Sequence, residues 1–112
     1  MGEGTVGRGT GTGAADVEAL LARVALGDRD AFSALYDATS AKLLGIALRI
    51  LRDRDAAEDA LQDAFVKIWH KADSYSANGL SPMTWLITVA RNTAIDRLRT
   101  RRETSAVFVS RL

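Results

Sequence analysis

Apolar residues recur every three or four positions along most of the chain, which is the spacing of one face of an α-helix. Four stretches with this spacing predict four helices, at about Asp16–Leu26, Asp30–Leu51, Asp53–Ala72 and Pro82–Arg102. No stretch alternates apolar and polar residues as a half-buried strand does. The pattern therefore predicts an all-α fold, a small helical bundle of about four helices with a functional loop before the last helix.

Several residues mark the ends of these helices. Gly27 can stop the first helix, and Asp28 or Asp30 can cap the second, which we expect to be the longest. Ser81 can accept from an early amide of the last helix, and Pro82 fits its first position because no donor is needed there. The positions predicted to face the core are Phe32, Leu35, Thr39, Leu43, Ile46 and Ile50 in the second helix, Ala57, Leu61, Ala64, Ile68 and Ala72 in the third, and Met83, Ile87, Ala90, Ala94 and Leu98 in the last.

Other parts of the chain depart from the helical pattern. Residues 1–13 hold six glycines and three threonines with almost nothing to bury, so they are predicted to form a disordered tail. The stretch Asp73–Leu80 is rich in turn-forming residues and predicts a loop. Residues 104–112 are typical of the start of a linker. Gly45 interrupts the second helix at a cost of about 1 kcal/mol relative to alanine, which predicts a close crossing by another helix.

Composition limits the range of functions. The chain has 112 residues, 47% of them hydrophobic and 26% charged, which suits one small domain, placed here at residues 14–103. Its net charge is +1, so any nucleic-acid contact has to come from local clustering of charge. The absence of cysteine excludes disulfides and thiolate metal sites and favours a cytoplasmic location. No apolar run approaches the roughly 20 residues that span a bilayer, so we expect no membrane insertion.

The last helix carries a cluster of positive charge. Five arginines fall between Arg91 and Arg102, and Asp96 is the one acid among them. Hydroxyl and amide side chains lie between the arginines, as they do on many surfaces that contact phosphates. The alternative is an ordinary solvated face, which is what most charged helix surfaces are. The crowding of arginines at one end favours nucleic-acid binding, with Thr88, Arg91, Asn92, Arg99 and Arg102 as candidate contacts. The helical period places Trp85 along one flank of this arginine face.

The third helix leaves a second face made of Asp59, Gln62, Asp63, Val66 and His70, which is acidic at the end that carries the two aspartates and is called the acidic face below. Acids near a helix N-terminus interact favourably with the helix dipole, and this explanation is simpler than a metal cluster. His70 is the only histidine and has no partner for a zinc site or a triad, so it is interpreted as a surface side chain. The sequence thus predicts no catalytic residue, no metal and no cofactor. A binding module is favoured over a helical protein-interaction adaptor without DNA binding and over a metal-dependent hydrolase.

Two segments, AAEDALQDAFVKIW at 56–69 and MTWLITVARNTAIDRLR at 83–99, closely resemble region 2 of bacterial extracytoplasmic-function (ECF) sigma factors. The resemblance extends over about Asp16 to Arg102. It implies a transcription-initiation domain whose third helix binds the clamp helices of the largest subunit of RNA polymerase. It also implies that the following loop and helix read and melt the promoter minus-ten element.

The resemblance assigns roles to particular residues. Polymerase docking is expected at Asp59, Gln62 and Asp63, because an acidic and amide surface can pair with arginines of a partner coiled coil. Tyr75 and Asn78 are expected to hold or read bases of the non-template strand, unless Tyr75 tucks into the bundle and Asn78 only forms a turn. An anti-sigma factor is a further implied partner. The second, helix-turn-helix domain of the family is expected to be missing from these 112 residues.

Overall fold

The computed structural model describes residues 14–110, with side chains for 16–75 and 79–104. Within these residues the chain forms four α-helices and one 3-10 helix, and no strand. The helices are α1 (Ala14–Ala25), α2 (Arg29–Leu51), α3 (Arg54–Lys71) and α4 (Pro82–Ser110), and the 3-10 helix Ala72–Asn78 lies between α3 and α4. The predicted all-α bundle of four helices is confirmed, whereas the predicted tail at 1–13 lies outside the described residues.

The turn from α1 to α2 follows the predicted signals. Gly27 adopts a left-handed conformation with φ of 86°, which an L side chain rarely adopts. The Asp28 side chain then caps α2 by accepting from the amide of Ala31 at 3.0 Å. The guanidinium of Arg23 donates to the same carboxylate at 2.9 Å. The amide of Ala31 and then Arg23 lower the pKa of Asp28 below its usual value, because both stabilise the charged form.

Helix α2 buries a stripe slightly different from the predicted one. Leu35, Thr39 and Leu43 are buried as expected, but Phe32, Ile46 and Ile50 are only partly buried. The buried stripe is completed by Ala31, Ala47 and Leu51, which are smaller or lie nearer the helix ends. Helix α2 packs against all three other helices.

The predicted helix crossing at Gly45 is wrong. A Cβ atom placed on Gly45 would have nothing within 4 Å, and the residue is exposed. The close packing of α2 lies two residues further on, at Ala47, which belongs to a buried cluster with Leu51 of the same helix and with the alanines Ala57 and Ala60 of α3 and Ala94 of α4. Alanine has little side-chain volume, so three helices can approach one another at this point.

Helix α3 agrees with its predicted pattern throughout. Asp53 caps it by accepting from the amide of Ala56 at 3.2 Å. The predicted core positions are all buried, and they are Ala57, Leu61, Ala64, Ile68 and, just past the helix end, Ala72. The opposite face is left to solvent. Helix α3 therefore has one face that packs in the core and an opposite, exposed face that is available for binding.

The segment Asp73–Leu80 is more regular than the predicted loop. Residues Ala72–Asn78 form a 3-10 helix, which ends at Gly79 with φ of 69°. Serine, asparagine and glycine favour tight turns, and a 3-10 helix consists of consecutive turns of that kind. The 3-10 helix packs against α1, α3 and α4, and most closely against α1.

Helix α4 begins at Pro82, where Ser81 Oγ accepts from the amide of Thr84 at 3.3 Å as predicted. It has 29 residues against 23 in α2, so the prediction that α2 is the longest helix is wrong. It also remains helical to Ser110, past the point where the sequence suggested a linker. Whether residues 104–112 lead to a second domain stays a prediction.

The main hydrophobic core joins all four helices. Its largest fully buried side chains include Leu21 of α1, Leu35 and Leu43 of α2, Ile68 of α3 and Leu86 of α4. Among the described residues, no helix is long and apolar enough to cross a membrane. The residues that α3 and α4 contribute to this core hold the two helices side by side, and this arrangement positions their exposed faces.

Candidate functional site

The predicted docking residues share one exposed face of α3. Asp59, Gln62 and Asp63 are all exposed, and Val66 and His70 continue the same face toward the helix end. Gln62 borders a groove of about 480 Å³ between α2 and α3, which Tyr36 also lines. Asp59 and Gln62 make no side-chain hydrogen bond or ion pair to another described residue, so their polar groups are available to a partner.

Asp63 has a partner within the domain that the sequence did not indicate. Arg97 of α4 donates to Asp63 Oδ2 from Nη2 at 2.8 Å and from Nε at 3.2 Å. The two residues are 34 positions apart, and no periodic pattern connects them. Arg97 lies roughly 240° around the helix from Arg91, so it points away from the arginine face and toward α3.

A second polar contact crosses the same seam between α3 and α4. Lys67 Nζ donates to Thr93 Oγ1 at 3.2 Å, and Thr93 Oγ1 donates to the carbonyl of Val89 at 2.7 Å. Thr93 is buried, and its hydroxyl has both a donor and an acceptor. Together with Asp63 and Arg97, these side chains line a cleft of about 520 Å³ between the two helices. The cleft connects the acidic face of α3 with α4.

The arginine face of α4 is exposed as predicted. Arg91, Asn92, Arg99 and Arg102 are all exposed. Arg91 and Arg102 have no acidic partner among the described residues, whereas Arg99 lies 3.6 Å from the carboxylate of Asp96. Two unpaired guanidinium groups therefore remain on a single helix face, and each has five donors for phosphate oxygens.

Thr88 is less available than its neighbours on the same face. It is partly buried, and its hydroxyl donates to the carbonyl of Thr84 at 2.8 Å. This hydroxyl still has lone pairs to accept a hydrogen bond. Thr88 can therefore contribute an acceptor, but it has already used its one donor within the helix.

Tyr75 packs into the bundle, the second of the two arrangements considered from the sequence. Its ring meets Trp85 edge to face, with the ring centroids 5.8 Å apart. The surroundings of Tyr75 raise its pKa, first through burial and then through the negative charge of Glu18. Trp85 was expected on the flank of the arginine face, but it is buried at 5% exposure. The side chain of Asn78 lies outside the described residues.

An apolar cleft between α2 and α3 was not anticipated. It has a volume of about 380 Å³ and is lined by Arg29, Phe32, Val66, Trp69 and His70. Phe32 and Trp69 meet edge to face at 5.2 Å, and Val66 is 56% exposed. Val66 also lines the cleft between α3 and α4, whose other residues are charged or polar. The exposed face of α3 is therefore bordered by a polar cleft toward α4 and by an apolar cleft toward α2.

His70 is exposed, in agreement with its interpretation as a surface side chain. Among the described residues, no three histidine or acidic side chains lie close enough together to hold a metal ion.

A family model described as sigma-70 region 2 matches residues 35–104, a range that includes most of α2, all of α3 and the 3-10 helix, and α4 as far as Thr104. Over 90 residues the chain is 42% identical to the ECF RNA polymerase sigma factor SigK of Mycobacterium sp. (strain KMS), covering 80% of this chain and 47% of that protein.

Proteins with the same name in Mycobacterium ulcerans (strain Agy99) and Mycobacterium tuberculosis (strain ATCC 25177 / H37Ra) are 40% and 37% identical over 84 residues, which is 75% of this chain and 45% of each relative. The chain thus spans about half the length of the curated relatives it matches. No solved structure matches it.

Proposed function

The chain belongs to the sigma-70 region 2 family, among its ECF members, and on that premise we propose that this domain binds core RNA polymerase and recognises and melts the promoter minus-ten element. The observation that carries the proposal is the family match over residues 35–104, which contains both the acidic face of α3 and the arginine face of α4. The domain acts by binding, with no chemical step of its own.

The polymerase contact is assigned to Asp59, Gln62 and Asp63 on α3. The exposure of all three side chains supports this assignment, as does the absence of an internal partner for Asp59 and Gln62 among the described residues. The partner is the pair of clamp helices of the largest polymerase subunit, whose arginines could form charge-assisted hydrogen bonds with this face. Such pairs, once desolvated, are much more sensitive to truncation than exposed pairs.

Alanine substitutions test this contact. Asp63→Ala and Gln62→Ala should each weaken binding to core polymerase by about 2–5 kcal/mol if the contact is desolvated, whereas an ordinary surface change stays within about 0.5 kcal/mol. Ser33→Ala, at an exposed position of α2, serves as the control. Wild-type affinity in both variants would rule out this face as the docking site.

The DNA contact is assigned to α4 and the preceding 3-10 helix. Arg91, Arg99 and Arg102 contact phosphates and thereby position the strand, and Asn92 is available for a backbone or base-edge contact. Thr88 adds an acceptor close to them. The exposed, largely unpaired guanidinium groups support this assignment.

Base recognition is assigned to residues 73–80, which include Tyr75 and Asn78. Melting a duplex costs a few kcal/mol for each base removed from the stack, so the protein has to offer a place for the base. The packing of Tyr75 on Trp85 leaves less of its ring for stacking than an open loop would. We therefore assign the reading of bases to the segment as a whole.

A segment exchange tests the assignment of base recognition to residues 73–80. Residues 74–80 are replaced by those of a relative with a different minus-ten preference, and binding is measured to single-stranded oligonucleotides varied one base at a time. The preference should move by about 1–3 kcal/mol at one position, while polymerase affinity stays unchanged. An equal loss for every oligonucleotide would instead place specificity on α4.

A cytoplasmic location and an anti-sigma partner complete the proposal, and both derive from kinship with the ECF group. Capture of polymerase without any binding to minus-ten oligonucleotides would instead favour the adaptor function, in which α3 docks to a protein and α4 has a solvated face.

A further inference from the structure

The ion pair between Asp63 and Arg97 joins the face assigned to polymerase with the helix assigned to DNA. Both donors of Arg97 end on one carboxylate oxygen, Oδ2, at 2.8 and 3.2 Å. Oδ1 accepts no hydrogen bond from the described residues. Since an ionised carboxylate can accept several hydrogen bonds, Asp63 can keep its internal pair and still accept from a partner.

Arg97 is less exposed than Asp63. Its side chain is 36% exposed against 51% for the aspartate, and it lines the cleft between α3 and α4 together with Thr93 and Lys67. The neighbouring acid Asp96 lies close to Arg99 instead, so Asp63 is the ion-pair partner of Arg97 among the described residues. A partly buried guanidinium with two donors on one oxygen restricts the rotamers of the carboxylate that it holds.

We propose that Arg97 is a positioning residue for polymerase binding: it fixes the carboxylate of Asp63 so that Oδ1 meets a donor on the polymerase clamp. This inference rests on the proposed docking role of Asp63. This ion pair is accessible to solvent on the side of Asp63 and adds little to folding stability, because solvent screens it and two side chains lose freedom. Its effect on binding is larger, since a carboxylate ordered in advance loses less entropy when the partner arrives.

A double-mutant cycle tests the inference. Affinity for core polymerase is measured for the wild-type chain, Arg97→Gln, Asp63→Asn and the double variant. Asp63→Asn should weaken binding at least about tenfold, as expected when one partner of a desolvated pair loses its charge. Arg97→Gln should weaken it by about threefold to tenfold, within the range of coupling between neighbouring residues. In the Asp63→Asn background, Arg97→Gln should cause no further loss.

Three controls separate a positioning role of Arg97 from a structural role and from a general effect of charge. Arg101→Gln removes the same charge from an exposed site on the same helix and should leave polymerase affinity unchanged. Arg97→Lys keeps the charge with a single donor group, so it should recover part of the affinity lost in Arg97→Gln. The thermal midpoint, measured by circular dichroism, should be similar in all these variants.

Each remaining outcome overturns the inference in a different way. If Arg97→Gln leaves affinity unchanged or tightens it while Asp63→Asn weakens it, Arg97 does not assist the contact, although Asp63 still makes it. An equal loss from Arg97→Gln in both backgrounds means that Arg97 acts independently of Asp63. If Asp63→Asn has no effect, the docking role of Asp63 in the proposed function fails, and the inference fails with it.

Discussion

Replacing Arg91 by glutamine tests whether the arginine face of α4 contacts phosphates. Arg91 is exposed and has no acidic partner among the described residues, so a phosphate would be its first anionic contact. Neutralising one phosphate of a single strand contributes about 0.7 to the slope of log affinity against log salt. Arg91→Gln should therefore make this negative slope shallower by about 0.7. Between about 50 and 200 mM salt, the wild-type chain should lose roughly 2.5-fold more affinity than the variant.

The structure also predicts an order among the arginines. Arg102→Gln should resemble Arg91→Gln, whereas Arg99→Gln should change the slope less, because Asp96 at 3.6 Å already offsets part of the charge of Arg99. Fluorescence anisotropy with a labelled minus-ten oligonucleotide, titrated at several salt concentrations, measures these slopes. Arg23→Gln removes the same charge from α1 and is the control. Unchanged slopes in the Arg91 and Arg102 variants would refute the phosphate contact and leave a solvated face.

Three further predictions concern the fold. Leu86→Ala removes a fully buried side chain and should lower the free energy of unfolding by about 2–5 kcal/mol in urea denaturation; a loss below about 1 kcal/mol would contradict its place in the core. Gly45→Ala should raise that free energy by about 0.5–1 kcal/mol, since a Cβ there meets nothing within 4 Å; a destabilised variant would show that the site is crowded. Asp28 has a lowered pKa in the folded state, so its carboxylate stabilises the fold above its unfolded pKa, and this contribution is lost as the pH falls through the folded value. The thermal midpoint of the wild-type chain should thus exceed that of Asp28→Asn at neutral pH and approach it below about pH 4, and a constant difference would contradict the shift.

The faces of α3 were predictable because one side of this helix is buried and the other is not. Ala57, Leu61 and Ala64 repeat at helical spacing, and their burial leaves Asp59 and Asp63 exposed by geometry alone. Helix α2 was harder, since its fully buried stripe runs through every fourth residue from Ala31 to Leu51 and leaves the larger Phe32 and Ile46 only partly buried. Its small residues, such as Ala47, provide the closest packing but contribute little to a hydrophobic pattern.

The contacts that complete the candidate site could not be predicted from the sequence. Arg97 meets Asp63 across 34 residues, and only the docking of α4 on α3 brings the two together. Trp85 was expected beside the arginine face because the helical period places it on that flank. It is instead buried in the main core, where the ring of Tyr75 from the 3-10 helix packs against it, and nothing in the turn-forming residues of that segment indicated this contact.

The most direct test of the central claim is the capture of core RNA polymerase by the immobilised domain. The wild-type chain should retain polymerase, and a triple variant with Asp59, Gln62 and Asp63 changed to alanine should not. Both chains should have the same far-ultraviolet circular dichroism spectrum, because all three residues are exposed. If the wild-type chain fails to retain polymerase, or if the triple variant retains it equally well, the assignment of polymerase binding to α3 is contradicted.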